Sequence, residues 1–257
     1  MESTPIRVSK IDFRVIALIF GITIGLLIFD YKYEDYVNAH FTITDVVIIL
    51  SPLVAGIFAV IVAKRYWSTG VLGKTYLALG IALLFYFIAN VIYSYLDRFE
   101  HVSAYPSVAD FFWVTMYPFL YYHLVVNIKF FKKSVGIRTK IWMAAIIIGT
   151  TVSYLVTSLS SNPTLDFGYY LGLYYVVVDA GLLSLSILAA LVFRNSVLGK
   201  VWLLLVVGFL VYSIADYWYY DYLTLVNQYT DSHPVNVIWV LAWMIIAYAL
   251  YKHRKTL

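Results

Sequence analysis

The chain has 257 residues, 63% of them hydrophobic and only 12% charged, with a mean hydropathy of +0.83. These values are far from those of a soluble domain and point to a polytopic membrane protein; the net charge of +4 comes from basic residues clustered beside apolar runs, where they orient spans and do not mark a nucleic-acid partner. The absence of cysteine excludes disulfides, zinc-thiolate sites, iron–sulfur clusters and cysteine nucleophiles.

In chain order, Arg7, Lys10 and Arg14 precede a first apolar run that leads into Asp30-Tyr31-Lys32-Tyr33 and not into a small-residue cleavage site, so an uncleaved first span is expected. A bilayer core of about 30 Å needs roughly 20 apolar residues in helix. Eight segments meet or approach that length: 13–30, 44–63, 75–96, 108–130, 141–160, 168–193, 201–222 and 235–251. None alternates with period 2, which argues against a barrel, and satisfying the backbone in lipid then leaves helices. The predicted fold is all-α, a polytopic membrane protein of eight transmembrane helices. A cytoplasmic N-terminus places sixteen Lys and Arg on the inner side and only Lys32 and Arg98 outside, so both termini are expected in the cytoplasm of a multi-pass cell-membrane protein.

The stretch 71–95 returns as 197–221 with eleven identities in twenty-five positions, including Val71-Leu72-Gly73-Lys74 against Val197-Leu198-Gly199-Lys200. Ala55-Gly56 matches Ala180-Gly181, Gly21-Ile22-Thr23 resembles Gly149-Thr150-Thr151, and Trp113 falls opposite Trp239. This predicts one membrane domain of two repeats, 1–130 and 131–257, each of four helices. An even number of spans per repeat makes them parallel, related by an axis along the membrane normal. The loops are short and the tail after Tyr251 is six residues, so any chemistry or output is expected in the helices, the outer loops or a separate partner.

An ionisable residue at a helix centre costs about 2.5–3.5 kcal/mol, so each must face protein or water. Asp179 lies near the midplane of the sixth span, Asp216 and its repeat-mate Asn90 lie in the outer thirds of theirs, and Asp110 and Asn236 begin spans four and eight on the same side. Repeat symmetry would gather these groups into an outward-facing polar pocket. Interhelical hydrogen bonding explains them equally, with Asp110 as a helix N-cap. Tyr86, Tyr93, Tyr117, Tyr121, Tyr122, Tyr212, Trp218 and Tyr219 run deeper than an interfacial belt requires. Aromatic walls with a few fixed polar groups are the usual lining of a small-molecule site, so Asn90, Tyr93, Asp110, Tyr117, Asp179, Tyr212, Asp216, Tyr219 and Asn236 are the candidate ligand-binding residues. His123 reads as a packing residue, because no second intramembrane histidine is expected to make a haem site. His40, His101 and His233 read as solvated loop residues without metal-ligand spacing.

Enzyme and pigment readings fail on specific residues. The last span has no Schiff-base lysine, and neither H-E-x-x-H nor G-x-S-x-G occurs. Asp179 and Asp216 are expected at different depths, roughly four to six residues apart along the normal, too far for an intramembrane aspartyl pair. No enzyme activity, cofactor or metal is expected.

Pro106-Ser107-Val108-Ala109-Asp110, followed by Tyr117-Pro118, resembles a P-S-x-A-D…Y-P motif of multi-span membrane sensor regions that stand before diguanylate cyclase, phosphodiesterase or histidine kinase modules. The match covers 71–120. It implies sensing, with Pro106 ending the loop, Ser107 or Asp110 capping span four and Pro118 kinking it. No output module follows Leu257, so the resemblance implies either a separate cytoplasmic signalling partner or a free-standing relative with another role; a homodimer is the other protein contact left open. The leading expectation is a membrane sensor that binds a small or lipid-like ligand from the exterior. The alternatives are a small-molecule or ion transporter, suggested by parallel repeats and Asp179, and a structural accessory subunit whose polar residues are packing glue.

Overall fold

A computed structural model describes residues 11–102, 104–132, 135–161, 164–194, 199–226 and 229–255. Glu2, Arg7, Lys10 and Lys133, which enter the charge pattern, and Val197 and Leu198 of the repeat lie outside the described residues. Those described are helical, with no strand among them. The helices are α1 (Phe13–Lys32), α2 (Glu34–Ala39), α3 (Ile43–Arg65), α4 (Val71–Arg98), α5 (Val108–Phe131), α6 (Ile137–Ser160), α7 (Phe167–Phe193), α8 (Gly199–Val226) and α9 (Val235–Lys255).

Four of the starts have a side-chain cap. Asp12 accepts the Arg14 N–H ahead of α1, and Asp166 accepts the Tyr169 N–H ahead of α7. Thr42 with Asp45, and Ser107 with Asp110, form capping boxes at α3 and α5. Lys64 and Arg65 close α3, and Lys252, His253, Arg254 and Lys255 close α9, where cations meet the negative end of the helix dipole. The long helices overrun the apolar spans by up to four residues at an end, because charged and aromatic end residues extend a helix without lengthening its hydrophobic stretch. The short α2 is an addition: its six residues sit in what reads as the first loop.

Seven of the eight long helices are long and apolar enough to cross a membrane. The exception is α5, whose 24 residues include Asp110, Pro118, His123, Asn127 and Lys129. Its position accounts for that composition. Helices α3, α4, α5, α7, α8 and α9 pack in that cyclic order, α9 closing back onto α3, so α5 meets protein on both flanks. By contrast α6, which rests on α7 and the edge of α8, buries only Tyr154 and Ser158, and α1 rests on α9.

Between apolar helices in an apolar medium, close packing replaces the hydrophobic effect as the main adhesive. The α3–α4 contact follows that rule: Ala55, Gly56 and Ala59 meet Gly80 and Leu83, and a Cβ at Gly80 would stand 2.8 Å from Val60 Cγ2. On the other side of the ring, Gly181 lets the Tyr121 hydroxyl reach the Val178 carbonyl at 2.7 Å.

Candidate functional site

On α4, Tyr86, Asn90, Tyr93 and Asp97 recur at three- and four-residue spacing and form one stripe. On α8, Tyr212, Asp216 and Tyr219 repeat the first three positions of that stripe, 126 residues later. The ring turns the two stripes toward each other, with Trp113 and Tyr117 of α5 and Asn236 and Trp239 of α9 between them. Together they line a cavity of about 80 Å³. Of the candidate ligand-binding residues, Asn90, Tyr93, Tyr117, Tyr212, Asp216, Tyr219 and Asn236 line it. Asn90 also donates to the Ile48 carbonyl at 3.1 Å, and Asn236 accepts from the Tyr229 hydroxyl at 2.5 Å.

The floor is a polar knot. The Tyr117 hydroxyl donates to Asp179 Oδ1 at 2.9 Å and lies 3.3 Å from the Tyr212 hydroxyl, while Trp239 Nε1 donates to Asp216 Oδ1 at 2.5 Å. The Asp179 and Asp216 carboxyls lie within hydrogen-bonding reach of each other. This overturns the expected difference in depth. Asp179 stands twelve residues from the start of α7 and Asp216 ten from the end of α8, because α8 continues to Val226, past the apolar run that ends at 222. Asp179 itself borders a second opening, a groove between α6, α7 and α8 that includes Thr150, Ser153 and Ser213. One carboxyl pair therefore separates the cavity from the groove.

Asp110 is a correction in the other direction, since it does not line the cavity. Its Oδ2 accepts the Ser107 N–H at 2.7 Å and its Oδ1 accepts the Tyr175 hydroxyl at 2.9 Å, so the carboxylate is used in the helix cap and in holding α7. Pro106 and Ser107 belong to the same cap. Pro118 is exposed, and α5 continues through it as one helix.

The mouth holds residues that sequence reasoning did not select. Arg98, with a side chain 5% exposed, pairs with Asp45 at 3.1 Å, Asp231 at 3.0 Å and Asp97 at 3.5 Å. It also donates to the carbonyls of Val37 and Asn38 at 3.0 and 3.3 Å. Val37, Asn38, Asp45 and Asp231 therefore meet Arg98 at one end of the molecule. Burial pushes the Asp231 carboxyl up to about 7; Arg98 opposes that rise, while Asp97 and Asp45 add to it. The signal in the sequence was Thr42-x-x-Asp45, legible as a cap, and the rarity of Arg98 on its side of the membrane.

At the opposite end a second correction appears: His253 is buried in the last turn of α9, so His123 is not the lone interior histidine. Their rings flank Tyr76 at centroid distances of 4.9 and 4.8 Å. His123 Nδ1 lies 3.0 Å from the Thr75 carbonyl, and the Nε2 atoms of both rings have no hydrogen-bond partner. Of the loop histidines, His40 is exposed and bonds the Tyr36 carbonyl, while His233 is buried against Trp218 and Tyr222. Among the described residues no three His, Asp or Glu side chains group as a metal site would require.

No family model, curated protein or solved structure matches the chain. The likeness to sensor regions thus rests on the stretch 71–120 alone, and the site must be read from its own chemistry.

Proposed function

We propose that the chain is a cell-membrane protein whose eight long helices all cross the bilayer, with both termini in the cytoplasm. In this reading it binds a small ligand from the exterior at the Arg98 end and passes a helix rearrangement to a separate cytoplasmic partner. The observation that carries the reading is the cavity: an aromatic-walled space with walls from both halves of the sequence. Two parallel four-helix repeats are supported by matched contacts, since Tyr93 rests on Trp113 at 5.6 Å and Tyr219 rests on Trp239 at 5.3 Å. Any ligand that pulls α4 against α8 also loads α5, where Pro118 has removed one helical hydrogen bond. The test is a density map of protein purified from its native membrane. Density for a ligand between α4, α5, α8 and α9 is the expected result, and a cavity collapsed onto its own side chains would rule the reading out.

One observation favours transport as a second reading. The Asp179–Asp216 pair lies between the outward cavity and the α6–α7–α8 groove, where a proton or substrate could be handed on. Uptake of a labelled solute into proteoliposomes, abolished by Asp179→Asn, would establish it.

A further inference from the structure

The charge around the cavity is unbalanced. Asp45, Asp97, Asp231 and Asp216 all line it, and Arg98 is the one basic residue that does so. Its guanidinium is already committed to three carboxylates and two carbonyls, so it has little left to offer an anion. Carboxyls also come in neighbouring pairs: Asp97 and Asp231 both meet Arg98, and Asp216 lies beside Tyr212 and Tyr117, the latter bonded to Asp179. Asp179, beneath Asp216, is 2% exposed. The walls reinforce the same preference, because aromatic faces present negative charge.

Resting on the exterior-binding reading above, we propose that the ligand is an organic cation, a quaternary ammonium. Its charged head sits at the Asp216 floor among Tyr86, Tyr212 and Trp239. A compact cation of this kind loses little hydration on entering, and aromatic faces substitute for water around groups that cannot donate hydrogen bonds. Its positive charge offsets the surplus that Arg98 leaves uncompensated. An anion would meet repulsion at both ends of the cavity, and a neutral solute would gain nothing from the carboxyl pairs.

The test uses the full chain in lipid nanodiscs and isothermal titration with choline, tetramethylammonium and tetraethylammonium. Each is compared with its neutral carbon isostere, 3,3-dimethylbutan-1-ol in the case of choline, and 3,3-dimethylbutanoate serves as the anion. At least one ammonium compound should bind about tenfold tighter than its isostere. Asp216→Asn should erase most of that gap, and Asp231→Asn at the mouth provides a second variant should the first fail to fold. If an isostere binds as tightly as its cation, or the carboxylate binds best, the cation inference is wrong and the exterior cavity stands. If none binds at millimolar concentration and Trp113→Leu does not create binding, the exterior-binding reading fails with it.

Discussion

Arg98 shows how one side chain can tie distant connections to one helix end. Its guanidinium ties α4 to Asp45 on α3, to Asp231 ahead of α9 and to the carbonyls of Val37 and Asn38. Removing it strands three carboxylates, and breaking a buried ion pair from one side costs about 3–5 kcal/mol. Arg98→Ala should therefore lower the thermal unfolding midpoint in detergent sharply. Arg98→Lys should recover little, because an ammonium has three donors and no planar fork. The pH dependence carries a sign. Asp231 has a folded pKa raised to about 7 from 3.8, so its contribution to stability is fully present below about 4 and is lost as pH rises through about 7. Without Arg98 that pKa climbs further, so acidification should restore more stability to Arg98→Ala than to the parent chain. Burial lowers the His233 pKa and gives the opposite slope in both proteins, so the difference between the two melting curves isolates the carboxyls that Arg98 faces, Asp231 with Asp97 and Asp45. The role of Arg98 was not legible in the sequence, where it counted only as one of two outer basic residues; its partners are 53 and 133 positions away. Asn90 and Asp216 were legible, because the internal repeat puts them in matching places. Asp110 was misplaced for a local reason: the same spacing that makes a helix cap also places an acid at a span entrance.

At the level of helices, the runs of apolar residues located every long element, since length and composition set a crossing helix before packing does. What they missed were ends and additions: α2, the extension of α8 to Val226, and the reach of α9 to a buried His253. Aromatic and charged residues continue a helix without adding hydropathy. The matched entries to α4 and α8 have a physical cause that the bare identities do not reveal. A Cβ on Gly73 would stand 2.8 Å from Trp67 Cα, and one on Gly199 would stand 2.6 Å from the Phe193 carbonyl oxygen. In each half the preceding helix ends against the start of the next, and only glycine admits that approach. Gly73→Ala and Gly199→Ala should each destabilise by about 1–3 kcal/mol through overpacking against backbone that has nowhere to go. Gly21, Gly25 and Gly149 have nothing within 4 Å of an added Cβ, so alanine there should be neutral or stabilising by about 1 kcal/mol through helix propensity. Chemical unfolding of the five variants checks both halves of the expectation. Equal effects at all five positions would show that close approach is not what the repeated glycine serves.

For the whole molecule, the membrane arrangement turns on α5, the long helix that is not apolar enough to be counted as a crossing on hydropathy. Its polar side chains are turned into the ring: Asp110 accepts from the Ser107 N–H and the Tyr175 hydroxyl, His123 Nδ1 meets the Thr75 carbonyl, and Asn127 donates to the His123 carbonyl. Lipid does not have to solvate them, so the composition of α5 is no barrier to crossing. A non-crossing α5 would place everything after it on the opposite side and leave the sorting of sixteen basic residues against two without a cause. The chain has no cysteine, so single cysteines report position without background. Ser68, Glu100 and Lys132 are exposed and follow α3, α4 and α5 in turn. With a membrane-impermeant maleimide on intact cells, Glu100→Cys should be labelled, whereas Ser68→Cys and Lys132→Cys should need permeabilisation. Asp35→Cys, beyond α1, should behave like Glu100→Cys. Labelling of Lys132→Cys from outside would mean that α5 lies within the bilayer without traversing it. The outward cavity, which needs Trp113 and Tyr117 held between α4 and α8, would then lose one of its walls.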